Sequence, residues 1–103
     1  MGLGAARWAE IGTYNLETKD YKWQKLDGPL EIISLQGNVA WEGDEPVLHI
    51  HGTFSDDKLQ TYGGHIKELE ISATCEIFMH HWWGEDRLTR LPDDETGLKL
   101  LDL

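Results

Sequence analysis

Cysteine is almost absent from this chain. The single cysteine among 103 residues, Cys75, excludes an internal disulfide and any zinc cluster built from several thiolates. Because Cys75 lies within an apolar run, we expect its thiol to be a small buried group. A chain of this length folds as one domain, so residues 1–103 are predicted to form a single unit.

Basic side chains are also scarce. The chain has 9 Lys and Arg residues against 19 Asp and Glu residues, which gives a formal net charge of −10. The basic residues are scattered singly, so the sequence shows no cluster of cations that could neutralise DNA phosphates. An acidic chain repels a duplex at long range, and we therefore do not expect direct DNA binding.

Long apolar runs are missing as well. No run approaches the roughly 20 residues that a membrane-spanning helix needs. The first ten residues lack the apolar centre of a secretory signal. We therefore expect a cytoplasmic protein with no membrane partner. The sequence also contains no phosphate-binding glycine loop and no nucleophile elbow.

The pattern that is present is that of β-strands. Apolar and polar residues alternate along several segments rich in β-branched side chains. The predicted strands cover residues 7–14, 21–26, 30–41, 47–54 and 66–83. Polar or glycine-containing turns are predicted at residues 15–20, 27–29, 42–46 and 55–58, and Gly37 is predicted to mark a bulge. Residues 98–103 fit either a short strand or a helical turn.

A sheet without helices must cover its apolar face in some way. The five tryptophans add a large apolar area to a small chain. Copies of the chain could cover this area by self-association, because small domains bury a smaller share of their own surface. The alternative is a small closed barrel that covers itself. The sequence favours the oligomer.

Three histidines form a pattern with chemical meaning. His49 and His51 are separated by one residue in a predicted strand, so both rings point to the same face. His65 follows Gly63 and Gly64, and we expect it to reach the same place from a neighbouring strand. Three imidazoles with an open fourth position are the ligand set of a catalytic-type zinc site. The alternative is that these histidines are only polar residues on the outer face of a strand.

Other candidate residues have weaker support. Glu31 and Glu68 are candidates to support the metal ligands from outside, and Glu31 is the first candidate for an acid–base group. His80 and His81 are adjacent, so they face opposite sides of a strand and cannot serve one site. We expect both to be surface residues.

Several segments resemble a known family. Residues 30–38 (LEIISLQGN) resemble the LEI-x-SL-x-G segment of the plants-and-prokaryotes-conserved (PPC) domain. Residues 49–56 (HIHGTFSD) and 62–65 (YGGH) are similar to the H-x-H and GGH signatures of its prokaryotic members. Residues 95–101 (ETGLKLL) are similar to the usual C-terminal ending. The motifs occur in the family's order and cover nearly the whole chain.

This resemblance implies an α+β fold, predominantly an antiparallel sheet with few or short helices, and a homotrimer. It also implies that His49, His51 and His65 hold a metal, with zinc as the expected ion. The arrangement resembles that of acetolactate decarboxylase, a related fold. Family members usually begin with a further strand and helix, which this sequence lacks. Members are often labelled as DNA-binding, but the basic AT-hook segments behind that label are not found here.

Two functions follow as expectations, with a third behind them. The first is a PPC-domain homo-oligomer that binds a metal through three histidines and has no assigned catalytic residue or organic cofactor. The alternative is a zinc-dependent enzyme, of lyase or hydrolase type, that acts on a small anionic or carbonyl substrate at the metal. The third is a regulator that acts on nucleic acid through protein partners.

Overall fold

The computed structural model describes residues 1–84 and 86–103. These residues form six strands: β1 (Gly2–Asn15), β2 (Asp20–Glu42), β3 (Glu45–Ser55), β4 (Thr61–Ile77), β5 (Arg90–Pro92) and β6 (Lys99–Leu101). The prediction of a mostly antiparallel sheet is confirmed, and the described residues include no helix. Accordingly, no described helix has the length and apolarity to cross a membrane.

The first four strands close into an antiparallel barrel. β1 pairs with β2 on one side and β4 on the other, and β3 completes the circle between β2 and β4. Closure gives every one of these strands two hydrogen-bonded neighbours, although β3 and β4 pair only through residues 51–55 and 61–65. The core inside the barrel consists of aliphatic side chains and one large aromatic ring: Ala6, Ala9, Ile11, Leu26, Leu30, Ile32, Leu35 and Phe54. Cys75 packs against this core but is only partly buried.

β2 is longer than predicted because residues 27–29 do not form a turn. The strand continues through Gly28 and Pro29, and Leu30 on the far side is buried in the core. A register shift in the β1–β2 ladder lies at this point, between Ala6 and Trp8. A shift of this kind accommodates a proline, which has no N–H to donate to the ladder.

Both predicted bounds of β4 are wrong. The strand starts at Thr61 and not at Ile66, so Gly63 and Gly64 lie inside it and pair with Thr53 and Gly52 of β3. The strand also ends at Ile77, where its ladder with β1 ends at Gly2. Residues 78–83 continue the apolar pattern, but no described strand lies opposite them, so the pattern alone does not make a strand there.

Gly37 does not mark a bulge. It pairs regularly with Ile50, and the register shift in the β2–β3 ladder lies earlier, between Ile32 and Ser34. A Cβ atom on residue 37 would lie 2.0 Å from the backbone oxygen of His49. Glycine is therefore required here by the close approach of two backbones.

The C-terminal residues form a hairpin of β5 and β6 beside the barrel, so residues 98–103 contribute a strand and no helical turn. The hairpin is held at its base by Trp41, whose backbone N–H donates to the Leu88 carbonyl at 2.8 Å. At its turn, the Tyr14 hydroxyl donates to the Thr96 carbonyl at 2.7 Å and Lys19 Nζ donates to the Asp94 carbonyl at 2.9 Å. These contacts fix the hairpin against one end of the barrel.

The outside of the barrel carries many large apolar side chains. Trp83 is 89 % exposed, and Phe78, Met79 and Trp82 beside it are also exposed. Apolar residues of the strands add to them, among them Leu3, Ile33, Leu48 and Ile77. The barrel thus covers its own core, as the closed-barrel alternative requires, and still leaves a large apolar area facing solvent.

Candidate metal centre

The three histidines of the sequence pattern meet at one place in the fold. His49 and His51 project from β3, and His65 of β4 is the direct ladder partner of His51. The ring centroids of the three imidazoles lie 5.0, 5.1 and 5.4 Å apart. The Nε2 atoms of His49 and His51 are 3.2 Å apart. One nitrogen from each ring can be chosen so that all three lie within 4.8 Å of one another.

The surroundings of these rings favour their neutral form. Burial lowers the pKa of His49, and the positive charges of Arg90 and of His51 lower it further. Burial also lowers the pKa of His65, with added repulsion from His49 and His51. A neutral imidazole is the form that binds a metal. Two of the three rings are therefore held ready for metal binding at neutral pH.

The donor set suits a divalent transition metal. Imidazole nitrogens are preferred ligands of zinc, copper, nickel and iron ions. His65 Nδ1 is buried and has no hydrogen-bond partner among the described residues, which is unusual for a buried polar atom. Three ring nitrogens that converge without a carboxylate between them fit a three-histidine ion site with a fourth position left over.

A cavity of about 590 Å³ opens in front of the three histidines. A cavity of this size accepts a small molecule. Its walls come from the strand ends around the histidines and from the hairpin, including Tyr14, Tyr21, Arg90 and Leu98. The Tyr21 ring lies 5.1 Å from the His65 ring and stacks on Trp23, which gives the cavity one aromatic wall.

Arg90, at the start of β5, is a site residue that the sequence analysis missed. Its side chain is buried, with Nη2 2.7 Å from Asn38 Oδ1 and 3.3 Å from His49 Nδ1. Nη1 donates to the Lys99 carbonyl at 3.0 Å. No local pattern marks this position, because an isolated arginine in a polar tail looks like a solvated residue.

The two glutamates predicted to support the metal ligands, Glu31 and Glu68, do not lie at the site. Both are exposed, and neither lines the cavity. Glu31 pairs with Ser55, four residues along β3 from His51, which separates them by roughly 13 Å. The strand register thus removes Glu31 as an acid–base candidate. His80 and His81 are exposed and away from the cluster, as predicted.

The lowered pKa values predict how stability changes with pH. Below about pH 6.5 the unfolded chain takes up protons on His49 and His65 more readily than the folded chain does, so acid favours unfolding. The melting temperature of the metal-free protein should therefore fall between pH 7 and pH 5. In thermal unfolding with a chelator present, this fall should be smaller for the double variant His49→Gln, His65→Gln. Equal falls would show that other groups cause the pH dependence.

Two curated relatives match most of the chain but are much longer proteins. Bifunctional protein GlmU of Synechococcus sp. (strain JA-2-3B'a(2-13)) is 37 % identical over 73 residues, which cover 70 % of this chain and 11 % of GlmU. GlmU of Synechococcus sp. (strain JA-3-3Ab) is 34 % identical over 82 residues, which cover 79 % of this chain and 12 % of that protein. The chain thus spans only about a tenth of the length of these relatives.

Solved structures share the fold over nearly the entire chain. The metal-containing protein AF0104 of Archaeoglobus fulgidus is 41 % identical with a TM-score of 0.89, over 99 % of this chain and 71 % of that one. A plant- and prokaryote-conserved protein of Pyrococcus horikoshii is 34 % identical with a TM-score of 0.90, over 99 % and 69 %. A protein of Ralstonia eutropha, named as a candidate DNA-binding protein, is 27 % identical with a TM-score of 0.80, over 99 % and 69 %.

A family model confirms what the motifs indicate. The model of the Plants and Prokaryotes Conserved (PCC) domain, the family abbreviated PPC above, matches residues 1–83. This range contains β1 to β4 and all three histidines of the cluster. The chain belongs to the Plants and Prokaryotes Conserved domain family.

Proposed function

We propose that this chain binds one divalent metal ion, zinc, through His49, His51 and His65. The observation that carries the proposal is the convergence of three ring nitrogens within 4.8 Å of one another. The Archaeoglobus relative, described as metal-containing, supports it at 41 % identity. The metal content of protein purified without a histidine tag tests the proposal. About one ion per chain supports it, and no ion even after zinc is offered contradicts it.

A second candidate function is that of a metal-dependent enzyme, of lyase or hydrolase type, with a small anionic or carbonyl substrate. The cavity of about 590 Å³ in front of the histidines favours it, because a purely structural metal site needs no such space. A bound zinc ion would supply a Lewis acid there. The residues of this chain would bind and orient the substrate, with Arg90 as the cation in the wall.

The proposal includes self-association as a homotrimer. The exposed apolar side chains around Phe78 and Trp83 are the expected contact area, since large apolar patches on a small protein are usually covered by a partner. Light scattering after size exclusion should then give about three times the chain mass of 11.8 kDa. The double variant Phe78→Asp, Trp83→Asp should lower this mass.

A matched control for the oligomer is Leu59→Asp. Leu59 is 82 % exposed but lies in a turn away from the residue 78–83 segment, so its replacement should leave the mass unchanged. A single-chain mass for the unmodified protein at micromolar concentration would contradict the homotrimer. A trimer that persists in the double variant would place the contact area elsewhere.

DNA binding is not part of the proposal, although the Ralstonia relative carries a name of that kind. The net charge of −10 opposes the approach of a phosphate backbone. A cytoplasmic location also remains a prediction from the sequence.

A further inference from the structure

Arg90 is a buried cation with no acidic partner among residues 1–84 and 86–103. The residue is only 8 % exposed, and none of its side-chain hydrogen bonds to described residues is to a carboxylate. Its Nε atom is buried with no hydrogen-bond partner in the described part of the chain. A buried, unpaired charge is costly, so it is rarely kept without a use.

The cavity around Arg90 is positive although the protein is strongly acidic. The charged residues in its walls, besides the histidines, are Glu42, Arg90 and Lys99. Glu42 and Lys99 form an ion pair with each other, which cancels their charges. The charge of Arg90 is thus the one positive charge left unpaired among the described residues of the cavity walls, although the chain as a whole has a net charge of −10. A bound divalent metal would add two more, so the cavity would attract anions while most of the surface repels them.

The contact between Arg90 and His49 adds a link to the metal. A guanidinium nitrogen only donates, so Nη2 can contact His49 only through the lone pair of Nδ1. Nε has no hydrogen-bond partner among the described residues, so it is a donor left over for an anion beside the histidines.

We propose that the cavity binds a small organic carboxylate carrying a second oxygen atom, with the carboxylate on Arg90 and the second oxygen on the metal. This inference rests on the proposed metal function. The planar guanidinium matches a carboxylate through two parallel hydrogen bonds. A guanidinium can also pair with phosphate in this way, so inorganic phosphate is the competing anion in the test.

The experiment uses glycolate as probe and glycolamide, its neutral amide, as comparison. Each is titrated into the zinc-loaded and the metal-free protein, and binding is followed by amide chemical shifts in NMR spectra. We expect glycolate to bind the zinc-loaded protein more tightly than glycolamide. Arg90→Gln should weaken glycolate binding by roughly 10- to 100-fold and leave glycolamide unchanged, because only glycolate uses the charge.

The matched control is Arg87→Gln. Arg87 lies three residues before Arg90 in the sequence and stacks on the Trp41 ring at 4.3 Å, so this variant removes the same charge without touching the cavity. The Arg87→Gln variant should bind glycolate with the same affinity as the unmodified protein. Arg90→Lys keeps the charge but loses the planar fork, and its affinity for glycolate should lie between those of the unmodified protein and Arg90→Gln. This variant decides the question if Arg90→Gln does not fold.

The outcomes separate the two proposals. Metal that binds normally while glycolate and glycolamide bind equally well would overturn the inference about Arg90 and leave the metal function intact. Tighter binding of inorganic phosphate than of glycolate would overturn the carboxylate class. If no metal binds, the metal function fails, and the metal-free titration still tests Arg90: loss of a preference for glycolate in Arg90→Gln supports its role, and no preference at all overturns it.

Discussion

The double variant His49→Ala, His51→Ala should lose its bound metal, from about one ion per chain to almost none. The change removes two of the three ring nitrogens that converge in the cluster. One remaining imidazole does not compete with water and buffer for a divalent ion, because affinity in such sites depends on several ligands acting together. Metal analysis of dialysed protein measures the result.

The fold should tolerate this double change. His51 is exposed, His49 is only partly buried, and neither belongs to the core inside the barrel. We expect the metal-free thermal stability and the oligomer mass to stay close to those of the unmodified protein. The matched control is His80→Ala, His81→Ala, which removes two exposed histidines outside the cluster. Unchanged metal content in the His49 and His51 variant would refute the site.

The variant Gly37→Ala should impair both the stability and the metal site, although residue 37 has no side chain to contribute. A Cβ atom there would lie 2.0 Å from the His49 oxygen and 2.8 Å from the Ile50 Cα atom. Both are backbone atoms, so β2 and β3 must move apart where His49 is held. Overpacking of this kind costs about 1–3 kcal/mol. Thermal unfolding measures the stability loss, and competition with a chelator measures the weaker zinc affinity.

Gly63→Ala is the matched control for this prediction. Gly63 also lies in a barrel strand, but the nearest atom to a new Cβ would be the Gly52 oxygen at 3.6 Å, an ordinary contact distance. This variant should keep its stability within about 0.5 kcal/mol, the range of a substitution without a structural conflict. Equal losses in the two variants would mean that the close approach at Gly37 is not the cause.

The strands of the barrel and the histidine cluster can be predicted from the sequence because both depend on local patterns. Alternation shows which residues can form a strand, and the spacing of His49 and His51 places both rings on one face. The turn predicted at Gly28 and Pro29 and the bulge predicted at Gly37 are wrong. At these positions glycine or proline serves a backbone approach or a register shift between strands, which a single chain segment does not reveal.

The sequence by itself determined the acidic character, the antiparallel strands, the family and the three histidines. Only the tertiary structure decided that the sheet closes on itself, that Glu31 lies far from the cluster, and that Arg90 contacts His49 across a sequence separation of 41 residues. The physical reason is that strand register and the docking of the C-terminal hairpin arise from contacts between distant segments. Composition and spacing within one segment carry no record of those contacts.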